Sequence, residues 1–260
     1  DADNDLTSLI FSGLYRYNGQ GVLVPDLAKT MPEITPDGLS YSITLREDAR
    51  WHDGVPVTAD DIVFTVQTAQ NADYGAPATV RAPWVGVQAQ RISDHVVQFR
   101  IDAKYAQFSN NLTLGILPKH LWQDIKPINF SLSELNIKPI GSGPFRFKSL
   151  TKDNLGHIIS YKLEAYNQSH LGRPKLNSIE FRFFDSEDGI IDAFNANDID
   201  NVGYISGNNI NKLKFKSRIN LEEINMPRYF SVFFNQSQSK ALSDKNVRLA
   251  LNYATDRVDI

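Results

Sequence analysis

The alternation of apolar and polar residues predicts four β-strands. In residues 40–46, Tyr41, Ile43 and Leu45 alternate with serine, threonine and arginine, which is typical of a strand with one buried face. Similar stretches lie at residues 96–101, 160–165 and 179–183.

A helical spacing of apolar residues predicts three helices, each preceded by a capping residue. Thr58 and Asp61 form a capping-box pattern, in which Asp is a weaker choice than Glu, before an apolar stripe in residues 62–69. Ser186 precedes a second stripe, and the capping stretch Ser243-Asp244-Lys245-Asn246 precedes a third. Strands and helices interleave without strict β-α alternation, which favours an α/β fold with mixed sheets.

The most turn-rich stretch in the middle of the chain is Gly141-Ser142-Gly143-Pro144. Its residues favour turns, and no phosphate-binding helix is predicted to follow them. A domain change is predicted near this stretch.

Composition excludes several classes of function. The chain has 260 residues, 42% of them hydrophobic, with 27 basic and 30 acidic residues and a net charge of −3. This balance argues against broad nucleic-acid binding. The absence of cysteine excludes disulfides, thiolate metal sites and cysteine nucleophiles.

Candidate catalytic and metal-binding chemistry is sparse. The five histidines lie at least 13 residues apart, so no local pair can bind a metal, and no nucleophile elbow or phosphate-binding loop occurs. We therefore predict no catalytic residue, no metal site and no cofactor. A carboxylate-dependent hydrolase stays an alternative, although no spacing of acidic residues favours it.

His52-Asp53-Gly54 could be taken for part of a catalytic triad, but it lies in a predicted turn. We expect Asp53 to accept local backbone hydrogen bonds and Gly54 to supply a conformation that other residues tolerate poorly. We therefore interpret the three residues as structural.

Seven motifs occur in order along nearly the whole chain. The most diagnostic is Trp51-His52-Asp53-Gly54, followed by a Thr-Ala-Asp-Asp-Ile-Val-Phe run. The others lie in residues 6–28, 37–46, 141–145, 166–176, 197–200 and 234–257. Together they resemble the family 5 extracellular solute-binding proteins, the oligopeptide-, dipeptide- and nickel-binding receptors of ABC importers.

The resemblance implies a periplasmic-binding-protein-like fold of type II, cluster C. Residues 1–30 and 150–260 would form a discontinuous, incomplete first lobe, and residues 31–149 an inserted small α+β domain. We expect residues 1–30 to share a sheet with residues 179–235. The second lobe is expected to be absent, because the chain stops at the motif that leads into it.

The resemblance also implies a substrate-binding protein that captures oligopeptides or a related small solute and delivers it to the permease subunits of an ABC importer. A metal-chelate or sugar receptor is the alternative within the family. The protein would be a monomer outside the cytoplasm, either free in the periplasm or held at the outer face of the membrane by a lipid anchor. No nucleic-acid partner is implied.

The stretches that match the family's solute-binding segments define the candidate site. They comprise Ser12, Gly13, Leu14, Ser206, Gly207, Asn208, Asn209, Tyr229 and Phe230. Two structural alternatives stay open: residues 206–209 as a simple turn, and residues 229–230 as a core strand. With only one lobe present, we expect this chain alone to bind its solute very weakly or not at all.

Overall fold

The computed structural model describes residues 2–214, 219–222 and 231–256. It contains two compact units, Asp1–Ile205 and Ser206–Ile260. The candidate residues Tyr229 and Phe230 lie outside the described residues.

The first unit begins with a helix and a small hairpin. Helix α1 (Ala2–Ile10) is followed by strands β1 (Tyr15–Tyr17) and β2 (Leu23–Pro25), which pair antiparallel. The polar cluster at residues 18–21 forms the turn between them, where the Asn18 side chain accepts from two backbone N–H groups.

A four-stranded antiparallel sheet follows. Its strands are β3 (Glu33–Ile34), β4 (Ser40–Thr44), β5 (Gln88–Ser93) and β6 (Val96–Arg100), in the order β3-β4-β6-β5. Tyr41 lies opposite Phe99 and Ile43 opposite Val97, and all four side chains are buried on one face. The predicted alternation in residues 40–46 therefore places its apolar side chains on the buried face.

Helices cover and flank this sheet. The long helix is α2 (Ala59–Gln70), and the short ones are α3 (Ala78–Arg81), α4 (Phe108–Asn111), α5 (Lys119–Trp122) and α6 (Pro127–Phe130). Helix α2 begins as predicted, because the Asp61 carboxylate accepts from the Thr58 N–H at 2.9 Å. Its other oxygen accepts from the Lys119 N–H at 2.8 Å, which ties the start of α5 to α2.

The first unit ends with a second antiparallel sheet. Strands β7 (Phe145–Lys152), β8 (Ile158–Ala165) and β9 (Ser178–Arg182) pair in chain order. Helix α7 (Glu187–Asn195) follows, and its N-cap Ser186 accepts from the Gly189 N–H at 3.2 Å, as the capping pattern predicts.

The second unit has a 3-10 helix at Gly207–Lys212, helix α8 (Lys240–Ser243) and helix α9 (Lys245–Ala254). Asp244 caps α9 by accepting from the Asn246 N–H at 2.7 Å. No described residue of α9 is buried within this chain. Among the described helices of both units, none is long and apolar enough to cross a membrane.

Two apolar cores lie in the first unit, and the N-terminal segment contributes to both. Leu14, Tyr15 and Leu27 pack into the core of the four-stranded sheet. Ile10 packs with Phe145, Tyr161 and Leu163 in the core of the three-stranded sheet. The chain therefore passes from one core to the other between residues 10 and 14.

The structure confirms the four predicted strands and the three predicted helices, and differs from two finer expectations. All strand pairs among the described residues are antiparallel, so the parallel pairing of a mixed sheet is not seen there. The strands of residues 1–30 pair with each other and not with β9, so they do not share its sheet. The boundary placed at residue 149/150 falls inside β7, and the division into domains stays a prediction.

Replacing Gly54 with valine is expected to lower the free energy of unfolding by about 1 kcal/mol or more. Gly54 has φ of +90°, and a Cβ there would have no heavy atom within 4 Å, so the cost comes from backbone strain alone. Urea unfolding measures it, with Gly19→Val as control, because Gly19 is equally open but its φ is not positive. Equal losses in the two variants would contradict a strained turn at Gly54.

Candidate functional site

The segment Ser12-Gly13-Leu14, which connects α1 to β1, is buried and held through its carbonyl groups. All three carbonyls accept hydrogen bonds of 3.0–3.1 Å from backbone N–H groups, namely those of Ile116, Leu27, Asp26 and Ala28. These bonds fix the position of the segment.

The N–H groups of the same segment, unlike its carbonyl groups, have no hydrogen-bond partner among the described residues. Within the described part of the chain, Ser12, Gly13 and Leu14 donate no hydrogen bond through their amides. A buried N–H without an acceptor is costly, so three consecutive ones are unusual in a folded chain.

Glycine is required in the middle of this segment by close packing. A Cβ on Gly13 would lie 2.8 Å from the Thr113 carbonyl oxygen, closer than Cβ atoms approach such atoms. The backbones of residues 13 and 113 therefore come together only because residue 13 has no side chain.

Four of the family-like motifs meet at one place in the first unit. We call it the joint and define it by Ile10, His52, Gly141, Gly143 and Tyr166. His52 Nε2 lies 3.0 Å from the Gly143 carbonyl oxygen, and the Gly141 N–H donates to His52 Nδ1 at 3.1 Å. The Gly143 N–H donates to the Ile10 carbonyl at 2.8 Å, which joins the end of α1 to the turn.

Tyr166 completes the joint. Its hydroxyl donates to the Trp51 carbonyl at 2.9 Å, and its ring meets the His52 ring edge-on at 4.9 Å between centroids. The contacts of Trp51 and His52 are thus with the protein's own backbone and core, which agrees with a structural interpretation of this motif.

His52 is held in the neutral form. Its ring is buried, and burial lowers the pKa of His52 from 6.5 to about 4, although the Gly143 carbonyl acts in the opposite direction. Because Nδ1 accepts from Gly141, the proton of the neutral ring lies on Nε2, which donates to Gly143.

Substituting His52 with glutamine is expected to make the free energy of unfolding depend less steeply on pH between pH 4 and pH 6.5. The folded state resists protonation of His52 below pH 6.5, so the unfolded state binds more protons between pH 6.5 and pH 4. The contribution of His52 to the free energy of unfolding is therefore fully present above pH 6.5. About 3 kcal/mol of it is lost as the pH falls to 4. Urea unfolding from pH 4 to 7 measures the difference in slope between the parent protein and the variant.

His95→Gln is the control for this experiment, because His95 is only partly buried. We expect that control to keep the parental slope. A parental slope in His52→Gln as well would show that His52 is not the group responsible.

Asp53 and Gly54 behave as the turn predicts. One carboxylate oxygen of Asp53 accepts from the Val55 N–H at 3.2 Å, and Gly54 has a positive φ. The second carboxylate oxygen lies 2.8 Å from His120 Nε2, a contact between distant parts of the chain that local spacing does not indicate.

The remaining candidate residues lie in the second unit. Gly207, Asn208 and Asn209 belong to the 3-10 helix, and the Asn209 N–H donates to the Ser206 carbonyl at 2.9 Å. These residues are half-buried or exposed, and they form the turn that the sequence left open as an alternative. The described candidate residues thus fall into two groups, one in each unit.

A buried Asp–His pair and an apolar cavity were missed by the sequence reasoning. His170 Nε2 lies 2.7 Å from Asp26 Oδ1, and both side chains are almost completely buried. A cavity of about 550 Å³ lies beside α1. The described residues contain no cluster of three or more His, Cys, Asp or Glu side chains able to hold a metal ion.

Comparison with protein families identifies the group to which the chain is similar. The model for bacterial extracellular solute-binding proteins, family 5 Middle, matches residues 22–260. The oligopeptide-binding protein AppA of Bacillus subtilis is 30% identical over 269 residues, which cover 100% of this chain and 47% of AppA. The oligopeptide-binding protein SarA of Streptococcus gordonii is 26% identical, with 98% of this chain and 44% of SarA covered.

Solved structures give the same result for the fold. NikZ from Campylobacter jejuni, in complex with Ni(L-His), superposes with a TM-score of 0.79 at 28% identity, covering 96% of this chain and 48% of NikZ. AppA from Bacillus subtilis, in complex with a nonapeptide, gives 0.69 at 28% identity, covering 76% of this chain and 39% of AppA. The chain thus spans less than half the length of these relatives.

The predicted fold class is confirmed by these superpositions. The order of the seven motifs, the two antiparallel sheets of the first unit and the match over residues 22–260 agree with one another. The chain belongs to the bacterial extracellular solute-binding proteins of family 5.

Proposed function

We propose that the chain is part of a receptor that captures oligopeptides outside the cytoplasm and delivers them to the permease subunits of an ABC importer. The observation that carries this proposal is the set of unpaired amides at Ser12, Gly13 and Leu14, in a chain of this family. The relatives named as oligopeptide-binding proteins support peptide as the solute.

Main-chain donors suit a receptor that must accept many sequences. Every peptide carries backbone carbonyls, so amides at residues 12–14 can bind a peptide irrespective of its side chains. Such binding needs no nucleophile and no general base, and we propose that the chain has no catalytic activity.

The second group of candidate residues has a different proposed role. Ser206, Gly207, Asn208 and Asn209 present a turn whose polar groups suit contact with a solute, and Tyr229 and Phe230 would supply an aromatic wall. We propose both as solute contacts on the strength of the family resemblance.

The proposed lobes need one adjustment to fit the strands. We propose that the inserted small domain begins near residue 31, as expected, but ends before Phe145 and not at residue 149, because β7 continues through residue 152. Since Leu14 and Leu27 pack in the core of the four-stranded sheet, residues 14–28 are better assigned to the small domain as well.

A metal chelate is the second candidate solute. The superposition on NikZ, solved with Ni(L-His), covers 96% of this chain and is closer than the superposition on peptide-bound AppA. A small chelate would need fewer main-chain contacts than a peptide does.

Calorimetric titration of the protein expressed from its complete reading frame distinguishes these solutes. We expect penta-alanine to bind with a Kd on the order of micromolar, which corresponds to roughly −8 kcal/mol. Nickel chloride with L-histidine tests the second candidate, and free L-histidine is its control. Binding of the nickel chelate without binding of any peptide would overturn the peptide proposal in favour of the chelate.

A further inference from the structure

The first unit contains an apolar cavity of about 550 Å³, which we call the α1 cavity. It is lined by α1, by β8 and by the segment of residues 117–139. Its most deeply buried wall residues are Ile10, Trp122 and Tyr161, each less than 10% exposed. The volume is within the range of about 300–1,000 Å³ that is typical of small-molecule sites.

The wall of the α1 cavity includes the acidic residue Asp3 and three uncharged polar side chains, and those three are already bonded to the protein. The Tyr161 hydroxyl donates to the Ile137 carbonyl at 2.7 Å, and the Asn136 side chain donates to the Phe130 carbonyl at 2.8 Å. The Thr7 hydroxyl donates to a backbone carbonyl of its own helix at 3.1 Å. An apolar group can therefore enter without leaving these polar groups unpaired, whereas a polar group would lose its bonds to water.

The α1 cavity adjoins the segment with the unpaired amides. Phe11 lines the cavity and directly precedes Ser12. Leu117 lines it on another side and directly follows Ile116, whose N–H donates to the Ser12 carbonyl at 3.0 Å. A peptide bound at Ser12–Leu14 would thus have the cavity beside it.

We propose that the α1 cavity receives two bulky apolar side chains of the bound peptide, at positions i and i+2. This inference rests on the proposed function. In an extended peptide, side chains two residues apart project from the same face and stand about 7 Å apart. One side chain would leave much of the cavity empty, so a pair with this spacing fills it better. The receptor therefore prefers peptides in which two bulky apolar residues are separated by one residue.

Three peptides of matched length test the spacing by calorimetry with the protein expressed from its complete reading frame. They are penta-alanine, Ala-Phe-Ala-Phe-Ala and the isomer Ala-Phe-Phe-Ala-Ala. We expect the alternating peptide to bind at least about tenfold more tightly than its isomer, because burial of one more large apolar side chain changes affinity by roughly one to two powers of ten.

Two substitutions at neighbouring positions of α1 test the location. Thr7 lies at the cavity and is exposed, so Thr7→Trp is expected to block the cavity without disturbing a core. Ser8→Trp is the matched control, because Ser8 is also exposed, also bonds a carbonyl of its own helix, and does not line the cavity. Thr7→Trp should remove the preference for the alternating peptide and leave the affinity for penta-alanine unchanged, and Ser8→Trp should change neither.

Three results would overturn the inference, and they differ in what else they imply. Equal affinities for the two phenylalanine isomers, with penta-alanine bound, would refute the cavity's role and leave the peptide receptor intact. Failure of all three peptides to bind would refute both. A preference that survives in Thr7→Trp would place the apolar subsite elsewhere.

Discussion

Gly141→Ala is expected to destabilise the protein by at least about 3 kcal/mol. A Cβ at this position would lie 1.9 Å from the Ile10 carbonyl oxygen and 2.7 Å from its carbon. Both atoms belong to the backbone, so no side-chain rotation relieves the overlap. Relief would require the end of α1 to move away from the turn, which would also weaken the hydrogen bond from the Gly143 N–H to Ile10.

Urea unfolding of the variant checks this expectation, with Gly189→Ala as control. Gly189 lies in α7, where a Cβ would meet no atom closer than 3.4 Å, and alanine favours a helix over glycine by about 1 kcal/mol. The control should therefore be neutral or slightly stabilising. Parental stability in Gly141→Ala would show that the close approach of residues 10 and 141 does not exist in solution.

His170→Leu is expected to lower the free energy of unfolding by about 3–5 kcal/mol, because it leaves the Asp26 carboxylate buried without its partner. The two side chains are 0% and 6% exposed and are joined by a contact of 2.7 Å. Replacing both residues, as in Asp26→Leu with His170→Leu, removes the buried charge altogether. The double variant should therefore be more stable than the single one, a non-additive result typical of residues in contact.

The exposed pair Glu134–Lys138 provides the control for the buried one. Both of its side chains are more than half exposed, so Lys138→Ala should lower the free energy of unfolding far less than His170→Leu does. Thermal or urea unfolding of the three variants gives the comparison. A loss of stability in His170→Leu as small as that in Lys138→Ala would contradict a buried contact between Asp26 and His170.

Local patterns predicted the elements of the fold but not how they pair. The alternation of Tyr41, Ile43 and Leu45 shows which face of a strand is buried, and Thr58 and Asp61 mark the start of a helix, because both signals act over a few residues. Whether a neighbouring strand runs parallel or antiparallel depends on the connection. Alternation is the same in both cases, so the expectation of mixed sheets had no local basis.

The division of the N-terminal segment shows the same limit. Ile10 and Leu14 are both apolar and only four positions apart, yet they pack in different cores. Nothing in the pattern of residues 6–14 marks the point where the chain passes from one core to the other. The passage depends on Gly13, Gly141 and Gly143, which allow backbones from distant parts of the chain to approach closely.

The candidate site was only partly predictable. Family-like motifs indicated Ser12, Gly13 and Leu14, but their unpaired amides depend on which groups the folded chain brings to them. The Asp26–His170 pair joins positions 144 apart in sequence, and no spacing rule indicates such a contact. The α1 cavity likewise is a property of packing and leaves no periodic trace in the sequence.

Amide hydrogen exchange at residues 11–15, with and without bound peptide, tests most directly whether the unpaired amides bind the solute. The protein is expressed from its complete reading frame and saturated with penta-alanine. We predict that exchange at Ser12, Gly13 and Leu14 slows by at least about tenfold when peptide binds, because each amide gains an acceptor. The amide of Gly143, already bonded to Ile10, should change little. Unchanged exchange at all three amides, with peptide shown by calorimetry to be bound, would contradict this assignment.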